Sequence, residues 1–406
     1  MEQNIQEKSL IKTVIDQRIS KYQWMVIALC FLIALFDGFD TQAVAFTAPA
    51  LLVHFDLETG ALAPILTAGI VGMTIGAMLL GLVGDKLGRR KTLIICTAIF
   101  SLATIFIAYV TSVDQILVLR FIAGLGMGGA TPVLFALAAE YSPQRFKGTV
   151  TTGVLLALPA GAMLGGLLAA KILPVLGWQG IYLIGGGFPL LLLFVMYFLL
   201  PESLEYLAQN NKSSSLRSIQ KILNKISPGI GEIKVKDLLQ PNKTQQQKAK
   251  LAILFQNNLA RTTIGVWGTY FFNWIAWFML LSWLPTVLKQ AGLAPENAPY
   301  ASVTVNAAFI LFALPLAYWL PKVNTAKILT FMLITGLVIV AALGLFIESN
   351  QWGYIFALIA LAGFGIGGQQ LALNYLVVAA YPTQVRATAT GWAIGMGRMG
   401  AILGSA

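Results

Sequence analysis

Four ionisable residues stand where an ionised side chain is expensive. Asp37 and Asp40 lie about halfway along one long apolar run, Arg120 a turn or two inside the end of another, and Arg398 well inside a third. At the centre of a hydrocarbon layer such a residue costs roughly 2.5 to 3.5 kcal/mol even on low insertion scales, so intramembrane charge marks function by default. Asp37 and Asp40 are three residues apart and share one helix face. Two neighbouring carboxylates perturb each other's titration, which is what a site that binds and releases a proton requires. The plainer alternative is a buried pairing with Arg120 that only fixes packing. Arg398 suits an anion, because guanidinium stays charged and grips a carboxylate with two directional bonds; its plainer alternative is a bond to helix carbonyls or a neighbouring acid. Glu140, at the end of the run that holds Arg120, joins the aspartates as a candidate for proton coupling.

The polar lining around such a site is less specific. Trp267, Tyr270, Phe271, Phe272, Asn273, Trp274, Trp277 and Phe278 crowd one apolar run, and most are packing bulk. One stripe, with Trp274 as its platform, can stack on a planar ring while Asn273 hydrogen-bonds to it. Gln369 and Asn374 on a later run complete the candidate substrate contacts with Arg120 and Arg398. Each amide, taken singly, more often bridges two helices than holds a ligand.

The elements that position these residues follow from composition. Of 406 residues 57% are apolar and 11% charged, less than half the charged fraction of about 25% in soluble domains. Apolar runs of about 20 residues, enough for a hydrocarbon layer of about 30 Å, are expected over 24–53, 62–83, 92–110, 115–139, 148–172 and 180–200, then 262–288, 301–320, 328–347, 353–380 and 388–406. The net charge of +11 is dispersed among short loops, so it reads as topology and not as a nucleic-acid surface. Lys86, Arg89, Arg90, Lys91, Arg145, Lys147, Lys322, Lys327 and Arg386 share one face, which the positive-inside rule makes cytoplasmic. His54, Asp56, Glu58, Asp114 and Glu348 lie on the other. No cleaved leader is expected, since 1–21 is polar and mixed in charge. Cys30 and Cys96 sit within apolar runs as small hydrophobes.

Residues 201–250 form the one long polar segment and are expected to be a solvated, partly helical cytoplasmic linker between 1–200 and 251–406. Gly124-Leu-Gly-Met-Gly-Gly129 returns as Gly363-Phe-Gly-Ile-Gly-Gly368, and Tyr141 to Arg145 is echoed by Tyr381 to Arg386. That displacement maps the fourth run onto the tenth, as two parallel six-helix repeats about an axis normal to the membrane require. By that symmetry a twelfth helix is expected, and the chain ends inside the eleventh. Both glycine segments match a dinucleotide fingerprint, but each lies within an apolar helix with no strand before it, so close helix approach is the reading and no cofactor is expected. No metal cluster and no nucleophile-base constellation is in view, so an enzyme is not expected.

Gly81-Leu-Val-Gly-Asp85-Lys-Leu-Gly88-Arg89-Arg90-Lys91 resembles the signature loop of the major facilitator superfamily. Topogenic charge alone would need neither the glycines nor Asp85 in register. Asp37-Gly-Phe-Asp40-Thr-Gln-Ala-Val-Ala-Phe-Thr-Ala-Pro49 resembles the first-helix signature of that superfamily's aromatic acid:proton symporters, and Tyr381-Pro-Thr-Gln-Val-Arg386 with Gly397-Arg398 is similar to their tenth and eleventh helices. The resemblance implies an all-α membrane protein of two six-helix bundles related by a pseudo-two-fold axis. It also implies proton-coupled import of benzoates, hydroxybenzoates, vanillate, hydroxyphenylpropionates or ring-cleavage acids such as muconate. Asp37, Asp40, Asp85 and Arg398 are then the functional positions, with Gly81, Asp85, Gly88, Arg89, Arg90 and Arg386 as a latch between the halves. A departure is histidine: the single one, His54, is expected outside the helices, so no imidazole relay is available. The expected partners are a small organic anion, a proton and the lipid bilayer, in a monomer of a bacterial inner membrane. A non-aromatic anion such as a dicarboxylate or sugar acid, or a membrane sensor that binds without transporting, are the alternatives.

Overall fold

A computed structural model describes residues 10–17, 19–209, 213–228, 251–256, 259–349, 351–381 and 383–406. Expectations that fall on 1–9 or 229–250, and on the side chains of Asp85 and Arg386, lie outside what is described.

The described residues are helical from end to end. A short helix α1 (Leu10–Ile15) precedes α2 (Lys21–His54), α3 (Leu62–Leu87), α4 (Arg89–Ile107), α5 (Val113–Glu140) and α6 (Lys147–Leu199). Two short helices, α7 (Leu204–Gln209) and α8 (Ser213–Ile226), lead to α9 (Leu259–Gln290), α10 (Pro299–Trp319), α11 (Thr325–Phe346), α12 (Trp352–Ala362), α13 (Gly368–Ala380) and α14 (Thr383–Ser405). Among the described residues eight helical stretches are long and apolar enough to cross a membrane. One of them, α6, is two of the expected spans joined at Gly177, whose φ of 66° and ψ of −170° break the helix; a side chain is strained in that region and glycine is not. Another runs from α12 through one π-helical turn, Gly363–Gly367, into α13. The shorter α10 brings these to ten of the eleven expected spans, and α14, a helix but not one of the eight, covers the eleventh.

α2 starts at a capping box in which Ser20 and Gln23 each accept a backbone N–H from the other. The Gln23 amide continues to the carbonyls of Ile15 and Tyr141, tying α1 and α5 to that start. His54 is the last residue of α2 and not beyond it, because the helix runs one residue past the expected edge; its ring lies edge-on to Phe55 and Trp178.

Packing divides the helices into two bundles. In the first, α3 lies along α5, α2 along α6, and α4 against α5 and α6. The glycines explain the closest of these pairs. A β-carbon on Gly124 would meet the Gly69 carbonyl, one on Gly128 that of Met73, and one on Gly72 or Gly76 the carbonyls of Phe121 or Leu125. In the second bundle α9 lies along α14, and α10 and α11 pack around the π-turn. Large apolar side chains such as Phe188, Leu191, Phe194 and Phe198 remain exposed, as lipid-facing surfaces are.

α8 departs from the solvated tether expected of this segment. Ile219, Ile222, Leu223 and Ile226 form one apolar face, buried in the same cluster as Val14, Ile15, Leu200 and Leu204. Spacing of i, i+3, i+4 and i+7 is an amphipathic stripe, and it docks on the basic end of the first bundle.

The bundles meet along α2 with α9, α3 with α14, and α6 with α10. Bridging hydrogen bonds run from Lys289 Nζ to the Pro49 carbonyl (3.2 Å), from Gln290 Nε2 to Thr59 Oγ1 (3.0 Å), and between Thr67 and Ser405 hydroxyls (3.3 Å). All three lie at the end opposite the Arg89 and Arg90 loop.

Candidate functional site

Asp37 and Asp40 are both buried on α2 but have different surroundings. Asp40 is an ion-pair member: Arg120 Nη1 donates to its Oδ2 at 2.9 Å and reaches its backbone carbonyl at 3.3 Å, and Thr104 Oγ1 donates to Oδ1 at 2.7 Å. Both of its carboxylate oxygens are thus taken by groups from α4 and α5. Asp37 has hydroxyls only, Thr131 Oγ1 at 3.0 Å and Thr41 Oγ1 at 3.3 Å. A hydroxyl donates to a carboxylate or accepts from a carboxylic acid, whereas guanidinium only donates. The surroundings of Asp37 therefore satisfy two protonation states, and those of Asp40 only the ionised one.

Arg398 comes from the other bundle. Its Nη1 donates to the Met73 carbonyl on α3 at 2.8 Å, and the Met73 sulfur lies 4.0 Å from Thr41 Oγ1, the hydroxyl bonded to Asp37, which puts Arg398 on the Asp37 side of the interface. The neighbouring Gly397 is flat against the Trp274 indole, and Trp274 stacks on Phe278 with centroids 5.7 Å apart. α14 thus turns Gly397 toward the aromatic pair of α9 and Arg398 toward α3.

Between the bundles, Thr41, Gln42, Gly69, Met73, Arg120, Phe278 and Ser282 are among the residues lining a narrow cavity of about 10 Å³. Helices must part before an aromatic ring enters it. Gln42 Oε1 and Arg120 Nε are buried with no hydrogen-bond partner, although each belongs to a residue on this wall.

Other sequence candidates are placed elsewhere. Asn273 Nδ2 donates to Gln369 Oε1 and the Ile366 carbonyl, and Gln369 Nε2 to the carbonyls of Met332 and Gly365. This network holds α9, α11 and the π-turn together, since a π-turn leaves carbonyls that the α-helical ladder does not satisfy. Asn374 Oδ1 accepts from the Tyr270 hydroxyl at 2.7 Å. Glu140 does not join the aspartates: it pairs with Arg89 and accepts from Ser203 Oγ at the far end of α5. Around it, Gly88 turns at φ 95°, Arg90 N–H donates to Glu202 Oε1 (3.0 Å), and Arg89 reaches Glu205 at 3.5 Å. The cluster of Arg89, Arg90, Glu140, Glu202 and Glu205 ties α4, α5 and α7 of one bundle. Sequence reasoning missed Glu202 and Glu205 because they sit at the start of a polar segment. It also missed Thr41, Thr104 and Thr131, since threonine in a helix ordinarily bonds its own preceding turn, as Thr131 also does to Met127.

The profile described as Major Facilitator Superfamily matches residues 30–405. The chain is 34% identical to the 4-hydroxybenzoate transporter PcaK of Pseudomonas aeruginosa, over 96% of this chain and 86% of that one. It is 35% identical to a gallate transporter of Pseudomonas putida, over 97% and 87%. A benzoate transport protein of Acinetobacter baylyi is 30% identical over 96% and 83%. Among solved structures, a D-xylose-proton symporter superposes with a TM-score of 0.72 at 18% identity, covering 95% of this chain and 89% of that one, which speaks to the fold alone. With the helices, the glycine-packed repeat and the signature loop, these likenesses establish that the chain belongs to the Major Facilitator Superfamily as a multi-pass membrane transporter and not an enzyme.

Proposed function

We propose that the chain imports a small aromatic carboxylate across a bacterial inner membrane together with a proton, by alternating access, with its N-terminus and the 201–250 segment cytoplasmic. The observation that carries the proton half is the contrast between Asp37, held by two hydroxyls, and Asp40, held by Arg120. Asp37 can gain or lose a proton without breaking an ion pair, whereas Asp40 and Arg120 form the fixed frame that holds the site's shape. The aromatic half is supported by the stack of Trp274 on Phe278, which lines the interbundle space, and by relatives named for hydroxybenzoate, gallate and benzoate.

The two halves couple through Arg398. While Asp37 is ionised, its charge competes with any arriving carboxylate for the guanidinium. A proton on Asp37 removes the competitor, so proton and anion favour each other's binding, a reciprocity that linkage requires. Their sum is neutral, and the loaded carrier crosses without moving net charge. Residues 1–200 and 251–406 rock as two bodies about this interface. The bridging bonds of Lys289, Gln290 and Thr67 close the face opposite the basic loops, which must open to admit substrate from outside.

Purified protein in proteoliposomes tests the reading. An inwardly directed pH gradient should drive uptake of labelled 4-hydroxybenzoate, and a protonophore should abolish it. Uptake of a sugar acid or an aliphatic dicarboxylate in preference to any aromatic acid would replace the cargo while leaving the fold intact.

A further inference from the structure

The site described above uses Arg398 and Asp37; among the buried polar atoms left without a partner, two belong to residues that line the interbundle space. Gln42 is 4% exposed and Arg120 3% exposed, both line the interbundle space, and neither Gln42 Oε1 nor Arg120 Nε has a partner. One is an acceptor and the other a donor. An orphaned buried group carries its full desolvation cost, commonly relieved when a ligand supplies the missing bond. A phenolic hydroxyl is the simplest group that satisfies both at once, donating to Gln42 Oε1 and accepting from Arg120 Nε–H.

Arg398 is anchored on the Met73 carbonyl, and Arg120 packs on Gly69, where a β-carbon would lie 3.2 Å from Nη2. Met73 and Gly69 are one turn apart on α3, about 6 Å at 1.5 Å per residue. Both guanidinium groups are thus held against the same helix, α3. Phe278 on the same wall supplies apolar surface for the ring.

Resting on the aromatic-acid reading, we infer that Gln42, with Arg120 Nε–H, is a specificity determinant that recognises a ring hydroxyl on the substrate. The preferred cargo is then a hydroxylated benzoate, with benzoate itself the weaker ligand because it leaves both atoms unpaired. A site that hydrogen-bonds a hydroxyl rejects the analogue lacking it far more strongly than an apolar pocket rejects an added group.

Calorimetric titration of purified wild-type and Gln42→Leu protein with 4-hydroxybenzoate and with benzoate tests this. The wild type should bind 4-hydroxybenzoate at least about tenfold more tightly. In Gln42→Leu that affinity should fall by about ten- to a hundredfold, while benzoate affinity rises a few fold as the orphaned carbonyl gives way to an apolar surface. The ligand-free melting temperature should stay level or rise, which separates a ligand contact from a structural one. Affinities that fall in step for both acids, an unaltered 4-hydroxybenzoate affinity, or a wild type that does not distinguish the two, each overturn the assignment while leaving aromatic transport standing. A wild type that binds neither acid overturns both.

Discussion

At the residue scale the two aspartates divide the labour by their partners and not by their positions. Asp40 and Arg120 form a buried pair, and removing one partner of such a pair leaves an uncompensated charge that costs about 3–5 kcal/mol. Asp40→Asn and Arg120→Gln should each lower the melting temperature of the purified protein sharply, and the double variant should recover part of the loss; additive losses would show that the pair is not a unit. The pair of aspartates, Arg120 and Arg398 were legible from the sequence because charge in an apolar run needs no alignment to be noticed. What separates Asp37 from Asp40 was not, since the deciding donors, Thr104 and Thr131, arrive from α4 and α5. Gln42 carried a faint signal, an amide two residues beyond Asp40 in the same apolar helix, and only its unpartnered oxygen in the folded chain gives that signal meaning.

At the element scale the glycines set how near helices come. Gly128 on α5 faces the Met73 backbone of α3, the residue whose carbonyl also holds Arg398. Gly128→Val should therefore do two things: destabilise the bundle by at least about 1–3 kcal/mol through overpacking, and weaken binding of an aromatic acid by displacing Met73. Thermal unfolding and ligand titration on one preparation read both, and a variant with wild-type stability would contradict the close approach. The repeated glycine segments announced such packing in the sequence. The π-turn at Gly363–Gly367 they did not announce, because its stability comes from Asn273 and Gln369 on two different helices. That tertiary demand is also why those two amides, read from the sequence as substrate contacts, are found spent on packing. α8 shows the opposite error. Its residues are polar on average, yet the stripe of Ile219, Ile222, Leu223 and Ile226 is enough to dock it on the first bundle.

At the scale of the whole molecule the bundles are held together at the face that carries Pro49, Thr59, Lys289 and Gln290. Thr59 and Gln290 are hydrogen-bonded at 3.0 Å, so Thr59→Cys with Gln290→Cys should be bridged by a short bifunctional methanethiosulfonate in the absence of substrate, the native Cys30 and Cys96 being buried. The cross-linked carrier should lose uptake and regain it on reduction. Efficient transport by the cross-linked protein would show that this face need not open.

In the proposed cycle Asp37 carries the proton and governs Arg398. Its most direct test compares two assays of Asp37→Asn in proteoliposomes: accumulation of labelled 4-hydroxybenzoate driven by a pH gradient, and exchange of internal for external substrate with no gradient. Accumulation should be abolished while exchange persists, because the neutral amide mimics the protonated carboxyl and leaves Arg398 open to the anion. Gradient-driven accumulation at the wild-type level by Asp37→Asn would contradict it.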